Sequence, residues 1–148
     1  MSISQETVDG VNNTGSIDLY GGSDEQAALM IGGAAGFGTS GMLSGDVSLQ
    51  GDTLIEFGSG GEITGIASDA QLSLSGTQAF IADSSETSSN SALTGLSNNA
   101  GTLNLKGGAA IATTGALTNS GTLYVDINDY TGGSSLTVGG TLTNGGML

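Results

Sequence analysis

Aliphatic residues in this chain come in pairs with one residue between them. The pairs are Ile17 and Leu19 in "GSIDLYGG", Val47 and Leu49 in "GDVSLQGD", Leu72 and Leu74 in "AQLSLSG", Leu103 and Leu105 in "GTLNLKGG", and Leu123 and Val125 in "GTLYVDIND". The intervening residues, Asp18, Ser48, Ser73, Asn104 and Tyr124, are mostly polar. That alternation is the period of a short strand with one buried face and one wet face. The pairs recur at steps of 20 to 31 residues, within the range of solenoid repeats. Between them lie further short apolar runs: Leu29–Ile31, Leu54–Phe57, Ala79–Ile81, Ala109–Ile111 and Leu136–Val138. Each repeat therefore carries at least two strands and a turn. The pattern predicts an all-β chain wound as a single-stranded parallel β-helix, a β-solenoid of about five to six irregular coils, with the paired aliphatics as its core. At a spacing of ~4.8 Å per coil the rod would be roughly 25–30 Å long.

A second pattern fills the gaps: an aliphatic residue, a polar run closing on glycine, and another aliphatic. It appears as "LTNSGTL" (Leu117–Leu123), "VNNTGSI" (Val11–Ile17), "LSNNAGTL" (Leu96–Leu103) and "LTNGGM" (Leu142–Met147). We read these as corners of the coil. Asn13, Asn98, Asn119 and Asn144 are expected to adopt left-handed backbone and to stack amide on amide, while Gly15, Gly101 and Gly121 return the backbone to the next strand. Leu117 and Leu123 should point inward in register with Leu96 and Leu103. Looser corners are expected at Met42–Val47 and Ile66–Leu72. Extra length in a solenoid has to leave the stack at a corner, which marks Gly32–Gly41 and residues 83–91, "DSSETSSNS", as loop excursions. Ser23 and Gln26 in "SDEQAALMI" could cap one helical turn before glycine stops it. Residues 1–148 read as one solenoid domain. Because "TLTNGGML" stands in the middle of a corner-and-strand unit, we expect either a segment of a longer solenoid or an end that docks on a partner.

Composition narrows the chemistry. With 28 Gly, no Pro, no Trp, three Phe and three Tyr, the core has to be built from Leu, Ile, Val and Ala in layers. Fourteen acidic residues against one base, Lys106, give a net charge of -13. Nucleic-acid binding and attraction to anionic membranes both need Lys and Arg, so neither is expected. No signal peptide pattern and no spanning apolar run are present in the sequence, so direct membrane insertion is not expected. The chain has no His, Cys or Arg, which removes Ser-His-Asp and Cys-His catalysis, thiolate metal sites and arginine clamps. Two-carboxylate glycoside hydrolysis stays chemically open through Asp46, Asp52, Glu56 and Glu62, but nothing singles out an acid-base pair. Neither cofactor nor metal is expected; the nearest to a calcium site is Asp126, Asn128 and Asp129 in "YVDINDY", which lacks the glycine and closing glutamate of a calcium loop. Tyr20, Tyr124 and Tyr130 alternate with inward aliphatics and should face outward.

The stretch "LSNNAGTLNLKGGAAIATTGALTNSGTLYV" resembles the passenger repeats of bacterial autotransporter and filamentous-haemagglutinin-type adhesins. The corners and the "GTLNLKGG" strands carry the resemblance over about two thirds of the chain, most clearly from Leu93 onward. It implies a right-handed β-helix on, or secreted from, a Gram-negative surface, noncatalytic, serving as a rigid stalk or display scaffold. A host or bacterial surface protein or a glycan would be its partner. Alternative functions are a self-assembling subunit of a surface filament or biofilm matrix, built by end-to-end stacking, and a glycoside-acting enzyme. No functional residue of the family carries over to a position here.

Overall fold

The computed structural model describes residues 5–127 and 132–148. It is all-β, with a single 3-10 turn, Ser91–Leu93, among the described residues. Every pair of named strands is parallel. The strands form three ladders that the chain visits in fixed rotation. Ladder one holds β2 (Ser16–Tyr20), β5 (Asp46–Gln50), β8 (Gln71–Ser75), β11 (Thr102–Lys106) and β14 (Thr122–Val125). Ladder two begins with β1 (Gln5–Val8), β3 (Ala27–Ile31), β6 (Thr53–Phe57) and β9 (Ala79–Asp83), and has a separate pair, β12 (Ala110–Thr113) and β15 (Ser135–Val138). Ladder three holds β4 (Met42–Leu43), β7 (Gly65–Ile66), β10 (Asn98–Asn99), β13 (Leu117–Asn119) and β16 (Leu142–Asn144).

The paired aliphatics form two unbroken columns in ladder one. Ile17, Val47, Leu72, Leu103 and Leu123 lie in register, as do Leu19, Leu49, Leu74, Leu105 and Val125. Leu49, Leu74 and Leu105 are fully buried between neighbours above and below, each contributing ~2 kcal/mol of transfer free energy. Position in the stack decides the outer members. Ile17, on the first strand of the ladder, is half-buried against the core. Val125, expected in the core, is 39% exposed, because only Thr122 and Leu123 of its strand meet the next segment, through Met147.

Ladder two shows why its runs read as apolar without alternation. Leu29, Ile55 and Ile81 face the main core, whereas Ala28 and Leu54 join Ala82 in a second buried cluster that Met30 and Phe80 flank. A strand buried on both faces carries no period-two signal. The expected turn of helix at Ser23–Gln26 is absent: these residues are bends and coil leading into β3. Gly32–Gly41 departs from the expected excursion. Gly32, Ala34 and Gly38–Ser40 are exposed, while Phe37 turns into the core and meets Phe57 edge to face, with ring centroids 5.7 Å apart. That contact fills a layer otherwise made of small aliphatics.

Candidate functional site

The most organised polar feature is the corner column of ladder three. Asn99, Asn119 and Asn144 lie in register. Asn99 Nδ2 donates to Asn119 Oδ1 at 2.8 Å, and Asn119 Nδ2 donates to Asn144 Oδ1 at 2.7 Å. Each amide also donates to the carbonyl that opens the following strand segment: Asn99 to Thr122 at 2.9 Å and Asn119 to Met147 at 2.8 Å. Asn99 and Asn119 are fully buried, so these bonds are what makes their burial tolerable. Below Asn99 the column continues with Ile66 and Leu43, which offer no donor. Asn99 Oδ1 is accordingly buried without a partner among the described residues.

The expected corner residue Asn98 is corrected by this register, and so is the left-handed backbone expected at Asn13, Asn98, Asn119 and Asn144, since Asp126 is the one described non-glycine residue with positive φ. Asn98 pairs with Thr118 and is exposed; Asn99 is the rung. "LSNNAGTL" holds one residue more than "LTNSGTL", and the alignment is set from the glycine backwards, since Asn13, Asn99, Asn119 and Asn144 each stand two residues before Gly15, Gly101, Gly121 and Gly146. For the same reason Leu96 is buried in the core but Leu117 does not lie opposite it. Asn13 makes the same outward donation as the others, from Nδ2 to Ser44 O at 3.0 Å and Asp46 O at 3.1 Å, and its Oδ1 accepts from Gly15 N–H. Gly101 and Gly121 are required by spacing. An added Cβ would lie 2.2 Å from Ala70 O at the first and 2.0 Å from Gly101 O at the second.

The 83–91 excursion is exposed from Ser84 to Ser89, but Asn90 and Ser91 are buried. They substitute for a missing strand neighbour. Asn90 Oδ1 accepts the Ile81 N–H at 2.7 Å, and its Nδ2 donates to Ala79 O at 3.3 Å and Ala110 O at 2.8 Å, so one amide joins β9 to β12. Ser91 Oγ accepts the Asp83 N–H at 2.9 Å. In the exposed part, the Ser85 hydroxyl, with the Ser85 N–H at 2.8 Å, holds the Asp83 carboxyl below its ordinary range. The Ser88 hydroxyl and N–H do the same for Glu86.

The four carboxylates open to glycoside chemistry are dispersed. Asp46 opens β5 on ladder one, Asp52 accepts Gln26 Nε2 at the following corner, Glu56 lies on β6 of ladder two, and Glu62 accepts the Thr94 hydroxyl ahead of ladder three. Of the calcium candidate, Asp126 has left-handed backbone (φ 57°) and its Oδ2 accepts the Ser134 N–H at 2.9 Å. Asn128 and Asp129 lie outside the described residues, as does Tyr130. No group of three or more Asp or Glu suited to a metal ion occurs among the described residues. Tyr20 projects into solvent, and Tyr124 is half-buried with its hydroxyl 3.4 Å from Met147 Sδ. Among the described residues no helix is long and apolar enough to cross a membrane. No family model, curated protein or solved structure matches the chain.

Proposed function

We propose that the chain is a right-handed, single-stranded parallel β-helix of five to six irregular coils that serves as a rigid, noncatalytic scaffold in an extracellular bacterial surface protein of the adhesin type. The observation that carries this reading is the fixed rotation of the chain through ladders one, two and three, with inward aliphatics in register on ladder one. Parallel strands joined through other elements cross over right-handed in nearly all cases, which supplies the hand. A stack of this kind resists bending because every backbone rung is paired to the next, and it presents its loops at fixed spacing. Ser84–Ser89 is the stretch most available for contact, being exposed and held at its base by Asn90 and Ser91. The partner class is a surface protein or glycan.

The fold and the function are tested separately. Circular dichroism should be of β-sheet type, and nuclear Overhauser contacts should join in-register pairs such as Leu74 and Leu105. Beads coated with the chain should attach to epithelial cells or polysaccharide films without releasing reducing ends. Replacing Ser84–Ser89 by a Gly-Ser linker of equal length should lower attachment at unchanged Tm. Contacts that pair these strands antiparallel or out of register overturn the fold reading; release of reducing ends, or no attachment, overturns the functional one.

A further inference from the structure

One core-facing position breaks the aliphatic rule. Glu6 on β1 stands in register with Leu29, Ile55 and Ile81, so its carboxylate belongs to the inner side of ladder two. With Val8, Val11, Ile17, Leu19 and Leu29 it lines a recess of about 290 Å³ at the N-terminal edge of the stack. An inward charge on an edge strand opposes the addition of another strand, because the carboxylate would have to leave water. Among the described residues the opposite edge has no such guard. β15 and β16 are paired on one side only, Val125, Leu142 and Met147 are exposed, and residues 132–148 contain no charged side chain.

We propose that the C-terminal edge is a docking surface for the N-terminal edge of a second copy of this chain, stacked head to tail, and that Glu6 gates the contact. The amide column argues for this occupant. Asn13 at one edge and Asn99, Asn119 and Asn144 at the other share one corner position, and Asn13, Asn99 and Asn119 share one pattern of donation to the following segment, while Leu43 and Ile66 between them have no amide. Among the described residues Asn144 Nδ2 reaches only Gly146 O, at a long 3.3 Å, and Asn13 Oδ1 accepts only the Gly15 N–H at 3.2 Å. Setting residues 11–13 of one copy over β16 of the other would extend the ladder from Asn144 to Asn13. The same register lays β1 over β15, with Val8 above Val138 and Glu6 above Leu136. Charge distribution permits this polarity and opposes contact between two N-terminal edges. Beyond Glu86 the charged residues are Lys106, Asp126 and Asp129 alone, and the remaining carboxylates precede them.

Among the described residues no cation meets Glu6. β3 offers no charged group, β2 contributes Asp18, the turn after β1 contributes Asp9, and across the contact stands Asp126; Lys106 lies on ladder one. The proposal rests on the β-helix reading, and the test keeps the two apart. Sedimentation velocity over a hundredfold concentration range at pH 7 is expected to give a monomer for the unaltered chain. Glu6→Gln should give a mass that climbs with concentration without a plateau, at a dissociation constant at least tenfold lower. Leu136→Asp added to Glu6→Gln should restore the monomer. Circular dichroism of each variant reports folding independently of association. A folded Glu6→Gln protein that stays monomeric, one that stops at a dimer, or an unaltered chain that already associates equally well would each overturn the gate while leaving the β-helix intact.

Discussion

A methyl group placed on Gly101 would meet Ala70 O at 2.2 Å and Ala67 O at 2.3 Å, while the same methyl on Gly15 would meet nothing within 4 Å. Both glycines close the same corner motif, but among the described residues Gly15 has no preceding backbone beside it to touch. Gly101→Ala is therefore expected to cost about 2 kcal/mol or more, since backbone must move, and Gly15→Ala no more than about 0.5 kcal/mol. Urea midpoints at constant m-value measure both; equal losses would mean that the close approach of coils is not what fixes the glycine. The asparagine rungs allow a similar comparison. Leu43 and Ile66 already occupy the column, so leucine fits there. Asn119→Leu removes a donor and an acceptor from the middle of the ladder and leaves the Asn99 amide without its rung. Its expected cost is about 2–3 kcal/mol. Asn99→Leu should cost less, because it also removes the orphaned Oδ1. If Asn99→Leu proves the more damaging of the two, the direction of donation assigned to the ladder is wrong.

Ladder one was readable in the sequence because its strands are four or five residues long with one wet face, enough to show alternation. Ladder three was not. Its strands are two or three residues long, below any period, and "LTN" therefore reads as a corner although it pairs as strand in β13 and β16. The one-residue slip between Asn98 and Asn99 has the same origin, since only the distance to glycine, and not the flanking aliphatic, keeps register there. The excursion was readable as exposed polar chain over Ser84–Ser89, but nothing local announces that Asn90 will satisfy β9 and β12, whose bonded groups are 9 to 20 residues away. Asn90→Ala should leave the Ile81 N–H and Ala110 O unpaired and cost about 2 kcal/mol or more, seen as a lower Tm and faster exchange of the Ile81 amide. The exposed part of the same element should respond to acid. Asp83 is held below its ordinary range in the folded state, first by the Ser85 hydroxyl and then by its N–H. The stabilisation it supplies is present above the unfolded carboxylate range, and it fades as pH falls through that range and then through the lowered folded value. Protection of the Ser85 amide should decline over that window, and Asp83→Asn should remove the dependence while lowering protection at neutral pH.

For the whole molecule, the decisive quantity is a charge of -13 that is not spread evenly along the stack. Carboxylates up to Glu86 lie on coils that share ladder neighbours, and the lone Lys106 stands beyond them, so the N-terminal coils repel one another with no internal cation to offset it. Added salt shortens the range of that repulsion, from a Debye length of about 30 Å at 0.01 M to about 8 Å at 0.15 M. Stability should consequently rise over this interval of sodium chloride and flatten above it. On the β-helix reading, stacked repeats open in part-independent units, so the gain should also be local. Amide exchange in β3, β5 and β6 should slow more than in β11 and β13, because the latter coils carry almost no charge to screen. A gain that is equal along the stack would show that salt acts through exclusion from the whole surface, and the uneven distribution of charge would then have no energetic consequence.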